Sequence, residues 1–337
     1  MVATACGKVI LLGEHSVVYG EPAMAVPLHD LRLSVVLASP RGAWAPVTAW
    51  QGDADEEATM RLPAIDPDGP TLHHADQGLE DASVKPLTID LDDDAPEGAE
   101  ASVIRALGTA AQHLGLVLPL PLRVAVRTGG LTSGMGTSAA LGVALSRALM
   151  AWYGEEPDPQ RVLGAAAAVE GLFHDDPSGI DHTVSSLERP VWFEKGRPPA
   201  PLEGLPGLEL VLLPRRSALG TAEVVGGVRD RLIADPSLVR VVAEMGRWTR
   251  EGRDAWLSGD RAGLAEAMTA QQRSLDRLGV VNDDDHRGVE QALDAGALAA
   301  KVTGAGWGGT LLALVDEATI DAVLQAWGPS ALRLRVE

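Results

Sequence analysis

The chain has 337 residues, 46% of them hydrophobic and 22% charged, an ordinary globular composition with length enough for two domains. A formal charge of −19 leaves no basic surface to displace counterions from nucleic acid, so an anionic ligand must be held by local features. The single cysteine, Cys6, excludes an intrachain disulfide and a Cys-rich zinc site, and no leader or bilayer-length apolar run is present, so a cytoplasmic protein with no membrane partner is expected.

Residues 1–40 read as two or three strands rich in Val, Leu and Ile. Within them the apolar run Val9–Leu12 meets Gly13, and Glu14, His15 and Ser16 follow at once. A second run, Ala23–Leu28, starts after Gly20 and Pro22. Apolar run, glycine turn and a burst of polar residues is how a site sits at the end of a strand. Lys8 stands just before the first run, in a chain with 24 Arg and only four Lys. A lysine is a compact point charge that can approach a phosphate or a reacting hydroxyl, which Arg does not imitate.

Residues 52–100 are acidic and rich in Pro and Gly, and read as loops and short hairpin strands. A helix is predicted over Ser102–Leu114, a strand over Leu118–Arg127, and helices over Thr137–Tyr153 and Pro159–Phe173. Val191–Phe193 and Leu208–Leu213 read as strands on either side of a stretch with linker composition, 195–205. Helices follow near Ala222–Ala234, Leu238–Ser258, Arg261–Leu278 and Asp285–Ala295. Strands at Ala299–Val302 and Thr310–Val315 and a helix near Ala318–Trp327 complete the chain. Strands and helices mix without a regular βαβ period, so the class is α+β, with domains expected at 1–200 and 201–337.

Three segments carry chemistry. In the first, Gly134-Met135-Gly136-Thr137-Ser138-Ala139 links a strand to a helix. Its glycines let the backbone approach a ligand, and the first helical N–H groups then face that ligand, which makes a phosphate cradle. The hydroxyls of Thr137 and Ser138 suit N-capping or metal coordination. The same residues fit the dinucleotide fingerprint G-x-G-x-x-A, with Glu155 and Glu156 beyond it, but those acids lie in a turn between helices rather than at a strand end. In the second segment, Glu170 closes a helix, where a carboxylate is disfavoured unless a cation is present, and Pro177-Ser178-Gly179 turns Asp181 toward whatever the turn faces. Glu170 as a Mg²⁺ ligand and Asp181 as a general base is one reading. Solvated acids ending a helix is another, and a zinc set from His174, Asp175, Asp176, Asp181 and His182 is a third. The third segment is a glycine turn, Thr303–Gly309, between strands. Thr221 reads as an N-cap, and Asn282–His286 as a solvated cap on a helix start.

Residues 7–28, the 134–139 loop, the Pro177–Asp181 turn with Glu170 eleven positions before Asp181, and Lys301–Gly309 (KVTGAGWGG) together resemble the motifs of the GHMP small-molecule kinases, in the family's order. The wording of Gly13–Gly20 and Pro177–Asp181 is most similar to the members that phosphorylate mevalonate. This resemblance implies a two-domain fold, with an N-terminal domain like ribosomal protein S5 domain 2 and a ferredoxin-like C-terminal domain. It implies ATP and mevalonate as substrates, with Mg²⁺, and it leaves room for a homodimer. It puts Asp181 and Lys8 in catalysis, Glu14, His15 and Thr221 on the acceptor side, residues 134–139 at the ATP phosphates, and Ser138 and Glu170 on the metal. The chain departs from the family where Thr137 replaces a Ser, Met135 a Leu, Asp176 an Asn, and where Trp307 and Thr310 replace smaller residues, which bears on the space at the site. The rivals are a phosphomevalonate or sugar kinase of the same family, and an inactive relative that only binds.

Overall fold

A computed structural model describes residues 1–39, 87–132, 134–174, 177–203, 207–215, 217 and 219–336. The acidic stretch 52–86, Asp175 and Asp176, and part of the expected linker lie outside the described residues. Two long strands, β1 (Val2–Leu12) and β2 (Ala23–Ala38), open the chain, joined by a short 3-10 turn at Ser16–Tyr19. Next come β3 (Leu87–Asp90), α1 (Ala99–Leu114), β4 (Leu122–Arg127), α2 (Thr137–Trp152), α3 (Pro159–Glu170) and α4 (Ile180–Leu187). The strands β5 (Val191–Phe193), β6 (Ala200–Pro201) and β7 (Leu208–Leu213) lead to the helices α5 (Thr221–Ala234), α6 (Val239–Ser258), α7 (Arg261–Arg277) and α8 (Asp283–Asp294). The chain ends with β8 (Ala299–Val302), β9 (Leu311–Val315), α9 (Ile320–Trp327) and β10 (Leu332–Val336).

Most predicted elements are found within a few residues of their expected bounds, although β6 was not predicted and β3, in a stretch read as hairpin strands, pairs in parallel with β4; two further differences are instructive. β4 starts at Leu122 rather than Leu118, because Pro119 and Pro121 bring no N–H to a ladder. β10 adds a strand that the sequence reading passed over, although Leu332-Arg333-Leu334-Arg335-Val336 alternates with period two.

The first sheet runs β3-β4-β2-β5-β6, with β1 paired to β2. All of its pairings are antiparallel except β3 with β4. The second sheet runs β10-β7-β9-β8 and is antiparallel throughout. The architecture is therefore α+β, without the crossover repeats of a doubly wound sheet. β1 and β2 are buried along most of their length because α2 and α4 pack on them, and α6 and α7 from the second half reach β1 as well. The main core joins Val9, Met24 and Leu145 of the first half to Leu210, Trp256, Leu264 and Leu312 of the second, so apolar packing runs without a break across both sheets.

Candidate active site

The strand end of β1, the loop before α2, the start of α4 and the glycine turn after β8 meet at a cleft of about 630 Å³. Lys8 is only 2% exposed. Its ammonium lies 3.0 Å from Asp181 Oδ1 and 3.4 Å from the Gly134 carbonyl oxygen. Its backbone N–H donates to the Met135 carbonyl at 2.9 Å, which stitches β1 to the glycine loop. A Cβ on Gly136, where φ is +75°, would lie 3.1 Å from Lys8 Cγ. The loop thus needs glycine there both for its left-handed backbone and for the lysine stem that passes it.

The first turn of α2 has no side-chain cap. Thr137, expected as a cap or metal ligand, instead donates its hydroxyl to the Thr132 carbonyl at 3.1 Å. The opening N–H groups of α2 are left facing the cleft wall of Gly134, Gly136, Thr137 and Ser138, an arrangement suited to an anion. Met135 and Ala139 are fully buried and lie behind that wall, so they shape the loop from beneath. Glu155 and Glu156 sit in the turn between α2 and α3, away from any strand end, which removes the dinucleotide reading of this loop.

Glu170 ends α3, 2% exposed and lining the cleft. No Lys or Arg pairs with it among the described residues; its Oε2 is bound by His182 Nδ1. The buried Glu170 carboxylate at the negative end of a helix and the Ser138 hydroxyl line the same cleft, and these oxygen donors fit a hard divalent cation such as Mg²⁺. Of the zinc alternative His174, Asp175, Asp176, Asp181 and His182, Asp175 and Asp176 lie outside the described residues, and the other three do not bring their ligating atoms together. Among the described residues the one cluster of ligating atoms within 4.8 Å is Cys6, His29 and Glu188. Glu188 there is already held by Arg32 and Arg147, and burial with the Glu188 charge pushes the Cys6 thiol up to about 11.

Glu14 and His15 also line the cleft, but each is tied to the second half of the chain. Glu14 Oε1 is bound by the ammonium of Lys301, and both side chains are wholly out of solvent. Burial pushes the Glu14 carboxyl up and the Lys301 ammonium down, each offset in part by the other's charge. Glu14 Oε2 has no hydrogen-bond partner among the described residues. His15 Nε2 lies 3.0 Å from the Ala305 carbonyl, so it carries the proton and Nδ1 is left as an acceptor. Burial lowers the His15 pKa and keeps the ring neutral at pH 7. Thr303 completes this seam: its hydroxyl accepts from Ile10 N–H at 3.1 Å and donates to Ile10 O at 2.9 Å.

Thr221 opens α5 and lines the cleft; Gly220, not Thr221, takes the cap position. Ala222, Val225, Gly226 and Arg229 follow it along the same helix face. Trp307 does not crowd the site. It packs on the second core, and its N–H donates to the Val280 carbonyl at 2.8 Å. Asp285 of the expected solvated cap is in fact fully buried, because it serves the Asn282 capping box, the Gly308 N–H and Arg215 together. Sequence reasoning placed Lys301 and Thr303 only within the glycine-turn motif, considered His182 only as a zinc ligand, and gave Arg229 no role. The scarcity of lysine that drew attention to Lys8 is a signal that applies equally to Lys301.

This two-sheet fold, with a glycine loop, a buried lysine paired to a half-buried aspartate and a carboxylate around one cleft, is that of a small-molecule kinase. The GHMP kinases N terminal domain model matches residues 101–189 and the GHMP kinases C terminal model matches 253–333. The chain belongs to the GHMP kinase family. It is 30% identical over 331 residues to the mevalonate kinase of Thermococcus sibiricus, covering 94% of this chain and 90% of that one. It is 31% identical to that of Pyrococcus furiosus, covering 93% and 89%. The crystal structure of L. major mevalonate kinase in complex with R-mevalonate shares the fold with a TM-score of 0.77 at 23% identity, covering 100% of this chain and 96% of that one.

Proposed function

We propose that the chain transfers the γ-phosphoryl group of ATP to the primary hydroxyl of mevalonate, giving 5-phosphomevalonate, a precursor of isoprenoids. The observation that carries the chemistry is the Lys8–Asp181 pair, 3.0 Å apart at the cleft between the uncapped start of α2 and the Thr221 face of α5. Relatives named mevalonate kinase, aligned over more than nine-tenths of this chain, support the choice of acceptor.

Phosphoryl transfer is mainly positioning and charge neutralisation. The N–H groups at the start of α2 and the 134–139 loop receive the phosphates. Ser138 and Glu170 are the residues that would hold Mg²⁺, which when bound neutralises charge on the phosphate oxygens. Asp181 accepts the proton of the attacking hydroxyl. Lys8, in contact with that carboxylate, stabilises charge on the attacking oxygen. Because an ionised Asp is a weak base, Lys8 and alignment supply much of the rate. Glu14, His15 and Thr221 line the acceptor side.

A coupled ADP-release assay with mevalonate, phosphomevalonate, galactose and homoserine tests the reading. Mevalonate should be the preferred acceptor by a wide margin. Faster turnover of phosphomevalonate or of a sugar would reassign the substrate, and nucleotide binding without turnover of any acceptor would make the chain a binding protein.

A further inference from the structure

His182 is buried, 8% exposed, one residue after Asp181 on α4, and the mechanism above does not use it. Its ring lies beside Gly179 and reaches back to Glu170, twelve residues earlier. A carboxylate oxygen offers no proton, so Nδ1 carries it and donates to Glu170 Oε2. Nε2 has no protein partner among the described residues. The contact therefore occupies one oxygen of Glu170 and leaves Oε1 for the cleft. It also offsets the unfavourable field at Glu170, which is the last residue of α3, where the helix end repels a negative charge.

We propose that His182 is a positioning residue that fixes the Glu170 carboxylate so that it presents a single oxygen to the divalent cation. The inference rests on the reading of Glu170 as a cation ligand. The first turn of α4 then serves two partners at once. Asp181 is held by Lys8, and His182 holds Glu170, so one short helix sets the separation between the proton acceptor and the cation-binding carboxylate. A hydrogen-bonded partner of this kind holds a ligand in the right rotamer and is worth about 10- to 100-fold in metal affinity.

The experiment measures Mn²⁺ binding by electron paramagnetic resonance in the presence of ADP, without turnover, alongside the Mg²⁺ dependence of the rate. His182→Ala should weaken Mn²⁺ binding at least ~10-fold and raise the Mg²⁺ requirement by a like factor. Metal-free ADP binding should stay unchanged. His182→Asn, whose amide N–H stands where Nδ1–H does, should restore most of the affinity, which a merely space-filling role does not predict. Unchanged Mn²⁺ affinity in His182→Ala, or no rescue in a folded His182→Asn, overturns the proposal. Glu170→Gln separates the two levels. If it loses metal affinity while His182→Ala does not, only the positioning role fails; if it too leaves affinity unchanged, the ligand reading of Glu170 fails first. Should His182→Ala not fold, the ¹⁵N-histidine spectrum of the unaltered chain decides: a proton on Nδ1 of His182 agrees with the proposal, and a proton on Nε2 alone refutes it.

Discussion

Lys8 and Asp181 are 173 positions apart in sequence and 3.0 Å apart in space, and each is positioned by a different glycine-terminated element. Asp181→Asn keeps the shape and removes the charge, and Lys8→Met keeps the stem and removes the ammonium. Each should lower kcat by roughly 10²–10⁴, with ATP affinity much less affected because the loop holds the phosphates. Since the two act as a unit, the double variant should lose less than the sum of the singles in log kcat; full additivity in steady-state rates would show them acting separately. The Glu14–Lys301 pair makes a different demand. Lys301→Met leaves a carboxylate buried with neither oxygen paired, and should cost about 3–5 kcal/mol in a denaturant melt. Adding Glu14→Gln should recover part of that loss, because the stranded charge is gone. At this scale the sequence was legible where a residue type is chemically demanding. Lys8, Asp181 and Glu170 could be picked out from glycine turns and a misplaced acid. The partners of Glu14 and Glu170 could not, because nothing local to Lys301 or His182 records the residue it will meet.

α4 is only eight residues long, yet it carries both Asp181 and His182. Its far end is fixed by Glu188, which sits at φ +51° just past the helix and accepts from Arg32 at 2.8 and 2.9 Å and from Arg147 at 2.6 Å. Arg147 also donates to the Thr4 and Ser186 carbonyls, so β1, β2, α2 and α4 are tied at one point. Burial alone would raise the Glu188 pKa, but the two guanidinium groups hold it below its ordinary value of 4.5. A lowered carboxyl value means stability that is complete above the unfolded value and lost as pH falls through the folded one. Glu188→Gln should therefore cost about 1–2 kcal/mol at neutral pH in urea melts. The two proteins should converge as the pH is taken below the folded value; a gap that stays constant into acid would mean the clamp is not ionic. Element positions were largely readable from periodicity, as α1, α2 and α6 illustrate. What was not readable was the anchoring. Glu188 looked like an ordinary acid after a helix, and its worth comes from two arginines on other elements.

Across the whole molecule, the cleft is floored by contacts between sequence-distant halves: Ile10 with Thr303, His15 with Ala305, Glu14 with Lys301. The fold itself was legible because four motifs occurred in a fixed order, but the seam was not, since Ile10 and Thr303 are 293 positions apart. The same seam, with the cleft above it, has a consequence for covalent chemistry. Of the three lysines among the described residues, Lys8 and Lys301 are almost entirely out of solvent, whereas Lys195 is exposed. Amine-directed acylating reagents should therefore mark Lys195 and spare Lys8 and Lys301, as peptide mass mapping would read. The protein should tolerate amine coupling to a support or a dye with its turnover intact, a tolerance that rests on a surface whose positive charge is carried almost wholly by arginine. Acylation of Lys301 in the folded protein would mean that the seam opens on the timescale of labelling.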